Sequence, residues 1–168
     1  MNKLGKIRKI KERDSPNDRW ETPISLAKIL IEMADIQKND RVLDPSRGGG
    51  VFFDNLPECR KDWCEIDEDK DFYNYNESCD VIIGNPPFSQ ISDWLEKSAI
   101  LCPRKICYVM GSLNLTPKRI NFLKRHGYVL TKLHFTNVVG WFGNIVCTVF
   151  DKEGTELITY DTIRHKLT

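Results

Sequence analysis

The sequence predicts an α/β fold in which helices flank a twisted, mostly parallel β-sheet. Short apolar segments typical of strands alternate along the chain with segments of helical spacing. Polar residues, Asp44, Glu65 and Asn85, stand at the predicted carboxyl ends of three strands. The last two predicted strands have no helix between them, so we expect the final strand to run antiparallel to its neighbours.

The predicted elements follow from capping residues, apolar periodicity and breakers. Thr22 is a candidate N-cap with Pro23 at the first helical position, and Thr116-Pro117 repeats that pattern. In chain order we expect a helix from Thr22-Pro23 to about residue 35, a strand over 41–44, a short helix from Val51 that Pro57 ends, strands over 62–66 and 80–84, a helix capped by Ser89 or Ser92 that stops before Pro103, a strand over 105–110, a helix from Thr116-Pro117 to Gly127, and strands over 128–135 and 144–150. We interpret residues 1–17 as a basic arm, 18–152 as one catalytic domain and 153–168 as a tail.

Composition is that of an ordinary globular chain. The 168 residues are 40% apolar and 29% charged, which suits one domain with a real core. No apolar run approaches the length of a membrane span, and the N-terminus is too charged for a signal peptide. The six cysteines form no CxxC pair, which favours buried thiols over zinc ligands or disulfides. We therefore expect a reducing, cytoplasmic compartment.

Basic residues are segregated along the chain. Residues 1–13 carry six Lys or Arg against one Glu, and residues 97–150 carry eight Lys or Arg and no acid. This distribution favours a surface that faces a polyanion, although a solvated helix face plus a basic tail would produce the same pattern. Trp141, in a Gly-flanked loop, could stack on nucleic acid or cap the core. The candidate nucleic-acid contacts are Arg8, Lys9, Lys11, Lys118, Arg119 and Trp141.

Asn85-Pro86-Pro87-Phe88 follows the apolar run of residues 81–84 and is the most informative segment. Two prolines restrict the backbone, and a residue before proline favours an extended conformation. The side-chain oxygen of Asn85 and the carbonyl of Pro86 can therefore point at one substrate NH2 group, with Phe88 beside them for stacking. A plain strand terminator with a core Phe is the alternative.

A glycine-rich turn links the first predicted strand to the next helix. Residues 44–50 read Asp-Pro-Ser-Arg-Gly-Gly-Gly, which lets a ligand approach backbone N–H groups closely. The turn lacks the Lys and hydroxyl residue of a P-loop, which argues against phosphate transfer. Glu65, at the next strand end, could accept both hydroxyls of a ribose.

These residues, in this order, resemble the S-adenosylmethionine-dependent amino methyltransferases. The matching segments are Asp44-Pro45-x-x-Gly48-x-Gly50-x-Phe52, an acid at Glu65, and residues 80–88 reading Asp-Val-Ile-Ile-Gly-Asn-Pro-Pro-Phe. Trp20-Glu21-Thr22-Pro23 looks like the family's upstream cofactor motif. The closest resemblance is to small phage-type N6-adenine DNA methyltransferases, and it covers roughly residues 18–150. It implies a Rossmann-like methyltransferase fold.

The resemblance also implies roles for individual residues. Asp71 follows Glu65 by six positions, where the family usually places a helix and another strand. Asn85, Pro86, Pro87 and Phe88 would be catalytic. The implied cofactor contacts are Asp44, Gly48 and Gly50 at the methionine end, Pro45 and Phe52 of the same motif, Thr22 and Pro23 on the other side, Glu65 at the ribose, Ile66 against the adenine, and Asp71-Phe72 as the acid–aromatic pair at the adenine.

The implied reaction is methyl transfer from S-adenosylmethionine to the N6 amino group of adenine in DNA, on a base flipped out of the duplex. An RNA adenine, a cytosine N4 or a protein glutamine presents an equivalent NH2 group. A non-catalytic nucleic-acid-binding module is a further alternative. No segment is long enough for a separate recognition domain, so specificity would be low or supplied by a protein partner or by self-association.

Overall fold

A mixed β-sheet organises the structure, a computed structural model that describes residues 20–156. Arg8, Lys9, Lys11 and the rest of the predicted arm lie outside the described residues, as do residues 157–168. The helices and strands are α1 (Ile24–Ala34), β1 (Arg41–Asp44), α2 (Val51–Asn55), β2 (Arg60–Trp63), β3 (Val81–Gly84), α3 (Ile91–Leu101), β4 (Lys105–Gly111), α4 (Pro117–Arg125), β5 (Val129–Thr136) and β6 (Ile145–Asp151).

The strand order is β2-β1-β3-β4-β6-β5. Strands β2, β1, β3 and β4 pair in parallel, whereas β6 runs antiparallel to both β4 and β5. The predicted fold class, with its antiparallel last strand, is confirmed. Because β5 turns directly back into β6, the loop between them lies at the same edge as the carboxyl ends of the parallel strands.

The sheet is covered on both faces, and β1, β3, β4 and β6 contribute side chains to both cores. Successive side chains of a strand point to opposite faces, so Val42 packs with α1 and α2 while Leu43 packs with α3 and α4. Both side chains are fully buried. Burial on two faces explains why the central strands read as continuous apolar runs.

The connection between β2 and β3 lacks the helix and additional strand that the family resembled by the sequence usually places there. It contains two 3-10 turns, Ile66–Glu68 and Phe72–Asn74, and no strand. Phe72 is 3% exposed and stacks on Trp94 of α3 at a ring-centroid distance of 4.7 Å. Phe72 and Trp94 thus belong to the same core cluster. Because no further strand is present in this connection, β2 is the edge strand.

Two of the predicted helix caps are wrong. Pro23 occupies the N-cap of α1, and Thr22 accepts no capping bond, so the helix begins one residue later than predicted. Neither Ser89 nor Ser92 caps α3, because a 3-10 turn, Phe88–Gln90, leads straight into it. The third cap is confirmed, since Thr116 Oγ1 accepts from the N–H of Arg119.

The second strand is also displaced from its prediction over residues 62–66, and spans Arg60–Trp63. The Cys64 N–H still donates to the Asp44 carbonyl at 2.8 Å, but Glu65 turns back to form an isolated antiparallel bridge with Lys70. Glu65 therefore lies two residues beyond the strand, in a tight turn.

The expectation of buried thiols is confirmed for four of the six cysteines, whereas Cys59 is half-buried and Cys102 is exposed. Cys64, Cys107 and Cys147 lie in the core, and desolvation raises the pKa of each thiol to about 12. Among residues 20–156, no helix has both the length and the apolar character needed to cross a bilayer.

Replacement of Ile82 by Ala tests the central position of β3. Ile82 is fully buried, so the cavity should lower the free energy of unfolding by about 2–5 kcal/mol in urea denaturation. Ile100→Ala is the control, because Ile100 is 55% exposed and its loss should cost about 0.5 kcal/mol or less. Equal losses in the two variants would contradict the assigned sheet core.

Candidate active site

The glycine-rich turn and the Asn-Pro-Pro-Phe segment meet at the carboxyl edge of the sheet. They follow β1 and β3, which are neighbours in parallel register. Ser46 Oγ donates to the main-chain carbonyl of Asn85 at 3.2 Å, so the two segments are joined directly. This is the edge at which open α/β sheets bind ligands.

Gly84 permits this close approach. A Cβ at this position would lie 3.2 Å from Pro45 Cδ and 3.3 Å from Asp44 Oδ1. Those distances are tighter than ordinary van der Waals contact, so a side chain here would push β3 away from the turn. Packing against the turn therefore explains why glycine precedes Asn85, which the apolar pattern of the strand does not indicate.

Asp44 is a completely buried carboxyl group at the base of the site. Its Oδ1 accepts from the Ser46 N–H at 3.3 Å, and Oδ2 has no hydrogen-bond donor among the described residues. Desolvation raises the pKa of Asp44 to about 7, although backbone N–H groups of Ser46 and Phe53 oppose that shift. A buried acceptor of this kind is suited to a polar or cationic ligand group.

The predicted ribose acid, Glu65, contacts the turn. Glu65 Oε2 accepts from the Gly48 N–H at 2.7 Å, and Oε1 accepts from the Asp67 N–H at 3.3 Å. Gly50 has φ 86°, and a Cβ there would lie 2.9 Å from an Asp54 carboxylate oxygen. The turn therefore requires glycine at position 50. The Gly48 N–H of the turn is hydrogen-bonded to Glu65, the acid that follows β2.

Arg47 was missed by the sequence analysis. Its guanidinium lies over the Trp63 ring at 4.7 Å and pairs with Glu68 at 3.0 Å. Lys70 Nζ lies 3.8 Å from the same ring centroid. These cation–π contacts hold the turn after β1 against the turn after β2. The position of Arg47 between Ser46 and the glycines was the only hint in the sequence. Its aromatic partner, Trp63, belongs to another strand, so the contact could not be predicted from the turn alone.

The other predicted cofactor residues lie at different depths. Ile66 is 39% exposed beside Glu65, as a surface against a flat ring would require. Phe52, Asp71 and Phe72 are buried, and Asp71 Oδ1 accepts from the Tyr73 N–H at 3.0 Å. Phe72 and Phe52 thus act as core packing, and a direct cofactor contact by Asp71 or Phe72 stays a prediction.

Asn85 is held by its amide nitrogen. Nδ2 donates to the carbonyl of Trp20 at 3.2 Å. Oδ1 is shielded from solvent and has no donor among the described residues. Pro86 is buried and Pro87 has φ −54°, so the corner is stiff. An acceptor oxygen without a donor is what a substrate NH2 group would use.

Three aromatic rings surround this corner. Trp141 lies between Trp20, at 5.9 Å, and Phe88, at 6.0 Å with an edge-on angle of 76°. Phe88 packs over Gly111 at the end of β4, where a Cβ would be 3.5 Å from its ring. Trp141 therefore contacts the Asn-Pro-Pro-Phe segment, and Phe142 beside it is 91% exposed.

Much of the positive charge predicted to form one surface is used internally. Lys105 is buried at the start of β4, with Nζ 2.9 Å from the Ala34 carbonyl and 3.6 Å from Asp151. Arg104 pairs with Asp40 at 2.9 Å. Both residues lie at the amino edge, opposite the site, because β4 begins there. Arg104 and Lys105 therefore do not belong to a polyanion-facing surface at the carboxyl edge of the sheet, and such a surface formed by the other cations stays a prediction.

The two basic candidates on α4 differ from each other. Lys118 is exposed at the N-terminal end of α4, which follows the carboxyl end of β4. Arg119 is half-buried and donates to the Asn114 carbonyl at 2.8 Å and to Ser92 Oγ at 3.0 Å. Arg119 thus braces the loop after β4 against α3.

Comparison with known proteins identifies the fold. No protein-family model and no curated protein matches the chain. TrmN from Thermus thermophilus matches with a TM-score of 0.60 and 21% identity over 84% of this chain and 53% of TrmN. A dimethyladenosine transferase from Plasmodium falciparum matches with a TM-score of 0.57 and 15% identity over 79% of this chain and 62% of the transferase.

A third structure, from Vibrio vulnificus, is described as the modification subunit of a type I restriction enzyme. It matches with a TM-score of 0.58 and 15% identity over 91% of this chain and 48% of the subunit. The chain spans about half the length of TrmN and of this subunit. At such identities the likeness shows the fold, which is the Rossmann-like fold of methyltransferases.

The buried carboxyl group predicts a pH effect on stability. Between about pH 4 and pH 7 the unfolded chain has lost the Asp44 proton while the folded chain retains it, so the free energy of unfolding should fall as pH rises. In Asp44→Asn this part of the fall should be absent. Urea denaturation of both proteins at pH 5 and pH 8 measures it, and identical pH dependence would contradict the burial of a titrating Asp44.

Proposed function

We propose that the protein is an S-adenosylmethionine-dependent methyltransferase that methylates the N6 amino group of adenine in DNA. The observation that carries the proposal is the Asn85 Oδ1 acceptor, which is shielded from solvent and held next to the glycine-rich turn. The fold is the one found in methyltransferases.

The residues at the turn fit the cofactor. Asp44 offers a buried acceptor oxygen, Gly48 and Gly50 keep the backbone accessible, and exposed Ile66 adjoins Glu65. Thr22 and Pro23 precede α1 on the Trp20 side of the corner. When bound, the cofactor supplies an electrophilic methyl group on a sulfonium. These residues would hold it and orient that methyl towards Asn85.

Asn85 and Pro86 would act on the acceptor nitrogen. The lone pair of an adenine amino group is delocalised into the ring, which makes the nitrogen a poor nucleophile. Hydrogen bonds from its two N–H groups to Asn85 Oδ1 and the Pro86 carbonyl favour a tetrahedral nitrogen with a localised lone pair. Catalysis would then come from positioning and electrostatics, with Phe88 stacking on the base.

A nucleic-acid base is the acceptor that best suits the surroundings of Asn85. The aromatic rings of Trp20, Phe88 and Trp141 can cover a planar ring, and Lys118 is exposed at the same edge. The name of one structural neighbour specifies dimethyladenosine, and another neighbour is a modification subunit of a restriction enzyme. The basic arm, residues 1–17, has six Lys or Arg among its first 13 residues and would add charge for phosphate contacts.

Transfer of a labelled methyl group tests the proposal. The protein is incubated with tritiated S-adenosylmethionine and separate pools of duplex DNA, RNA and protein, and the labelled pool is digested to single nucleosides or residues. We expect N6-methyladenine from DNA. Label in RNA, in cytosine or in glutamine would show that the acceptor is not adenine in DNA. If no pool is labelled and calorimetry detects no binding of the cofactor, a non-catalytic module is favoured.

Asn85→Ala should separate catalysis from cofactor binding. Loss of the acceptor oxygen should lower kcat by about 100-fold or more, whereas the calorimetric Kd for S-adenosylmethionine should change by less than about threefold. Asp44→Asn provides the contrast, because it should weaken cofactor binding first. Parallel loss of cofactor affinity and kcat in Asn85→Ala would contradict its role at the acceptor.

Replacement of Arg8, Lys9 and Lys11 by Gln should weaken DNA binding and reduce its salt dependence. For duplex DNA, each cation that no longer neutralises a phosphate makes the slope of log K against log salt shallower by about 0.9. Lys38→Gln, near the start of β1 and opposite the site, is the control. An unchanged slope in the triple variant would remove the arm from the interface.

A further inference from the structure

We propose that Trp20 is a positioning residue whose main-chain carbonyl fixes the Asn85 side chain with its oxygen towards the acceptor. The inference rests on the proposed function and assigns a role to a residue outside the Asn-Pro-Pro-Phe segment. Its basis is the 3.2 Å hydrogen bond from Asn85 Nδ2 to the Trp20 carbonyl.

An amide side chain has two chemically opposite ends. The NH2 end donates two hydrogen bonds and the oxygen end accepts, although the two ends have almost the same shape. Rotation by 180° would present the Asn85 NH2 group to the NH2 group of a base, so that two donors would face each other. The orientation of the amide therefore decides whether Asn85 can accept a hydrogen bond beside the one that the Pro86 carbonyl accepts.

The backbone of Asn85 is fixed independently of Trp20. Its carbonyl accepts from Ser46 Oγ, Gly84 before it packs against the turn, and Pro86 follows it. The remaining freedom lies in the side-chain torsions. Trp20 supplies the hydrogen bond that selects one amide orientation, because the carbonyl can only accept.

The ring of Trp20 secures that carbonyl. It is 36% exposed and lies 5.9 Å from Trp141, whose own ring contacts Phe88 at 6.0 Å. The loop between β5 and β6 thus fastens the segment before α1 over the acceptor corner. Trp141 acts on Asn85 through Trp20 in this arrangement.

Kinetics of Trp20→Ala test the proposal. At saturating cofactor and DNA, kcat should fall about fivefold, because one neutral hydrogen bond favours one amide orientation of Asn85 over the other by about that factor. The Kd for S-adenosylmethionine should stay within about twofold. Trp20→Phe should recover most of the loss, because a smaller ring still packs on Trp141. Ile100→Ala, which also removes an exposed apolar side chain but at the far end of α3, should match the wild type.

A double variant shows whether the two tryptophans act through one contact. Trp141→Ala should lower kcat to a similar extent, and Trp20→Ala/Trp141→Ala should lose no more than the larger single loss. Unchanged kcat in Trp20→Ala, losses that multiply, or a loss confined to DNA affinity would overturn the positioning role. Absence of methyl transfer by the wild type would instead overturn the proposed function.

Discussion

The hydrogen bond from Ser46 Oγ to the Asn85 carbonyl joins the two halves of the candidate site. It is possible only because β1 and β3 are adjacent and parallel, so that both chains leave the sheet at the same edge. Gly84 removes the side chain that would otherwise separate them. The relation between the glycine-rich turn and the Asn-Pro-Pro-Phe segment is thus set by the adjacency of the two strands and by this hydrogen bond.

Around this junction two oxygen atoms that are shielded from solvent, one of Asp44 and one of Asn85, have no hydrogen-bond donor among the described residues. Asp44 lies in the core with one carboxylate oxygen bonded to the turn and the other without a donor among the described residues. A buried acceptor without a donor destabilises the protein, and a ligand that supplies the missing donor is one explanation for its presence. The same holds for Asn85 Oδ1. Their convergence at one edge of the sheet is the physical basis for assigning a site there.

The connection between β2 and β3, which contains no strand, changes how the glycine-rich turn is supported. Two 3-10 turns fill the space, and Phe72 packs on Trp94 in the core. The Arg47–Trp63 contact then braces the glycine-rich turn from the edge strand. A compact chain can therefore hold this turn rigidly with cation–π and core packing in place of an additional strand.

The α/β class, the antiparallel final strand and the position of the Asn-Pro-Pro-Phe corner could be predicted from the amino-acid sequence, because periodicity, proline and glycine act over a few neighbouring residues. Even there, capping at Thr22 and the end of β2 were misplaced, because the helix begins after Pro23 and Glu65 turns back to bridge Lys70. Only the tertiary structure decided which residues touch Asn85 and which cations remain at the surface. Trp20 and Ser46 reach Asn85 across 65 and 39 positions, and Lys105 is buried by strand direction, so no local pattern encodes these contacts.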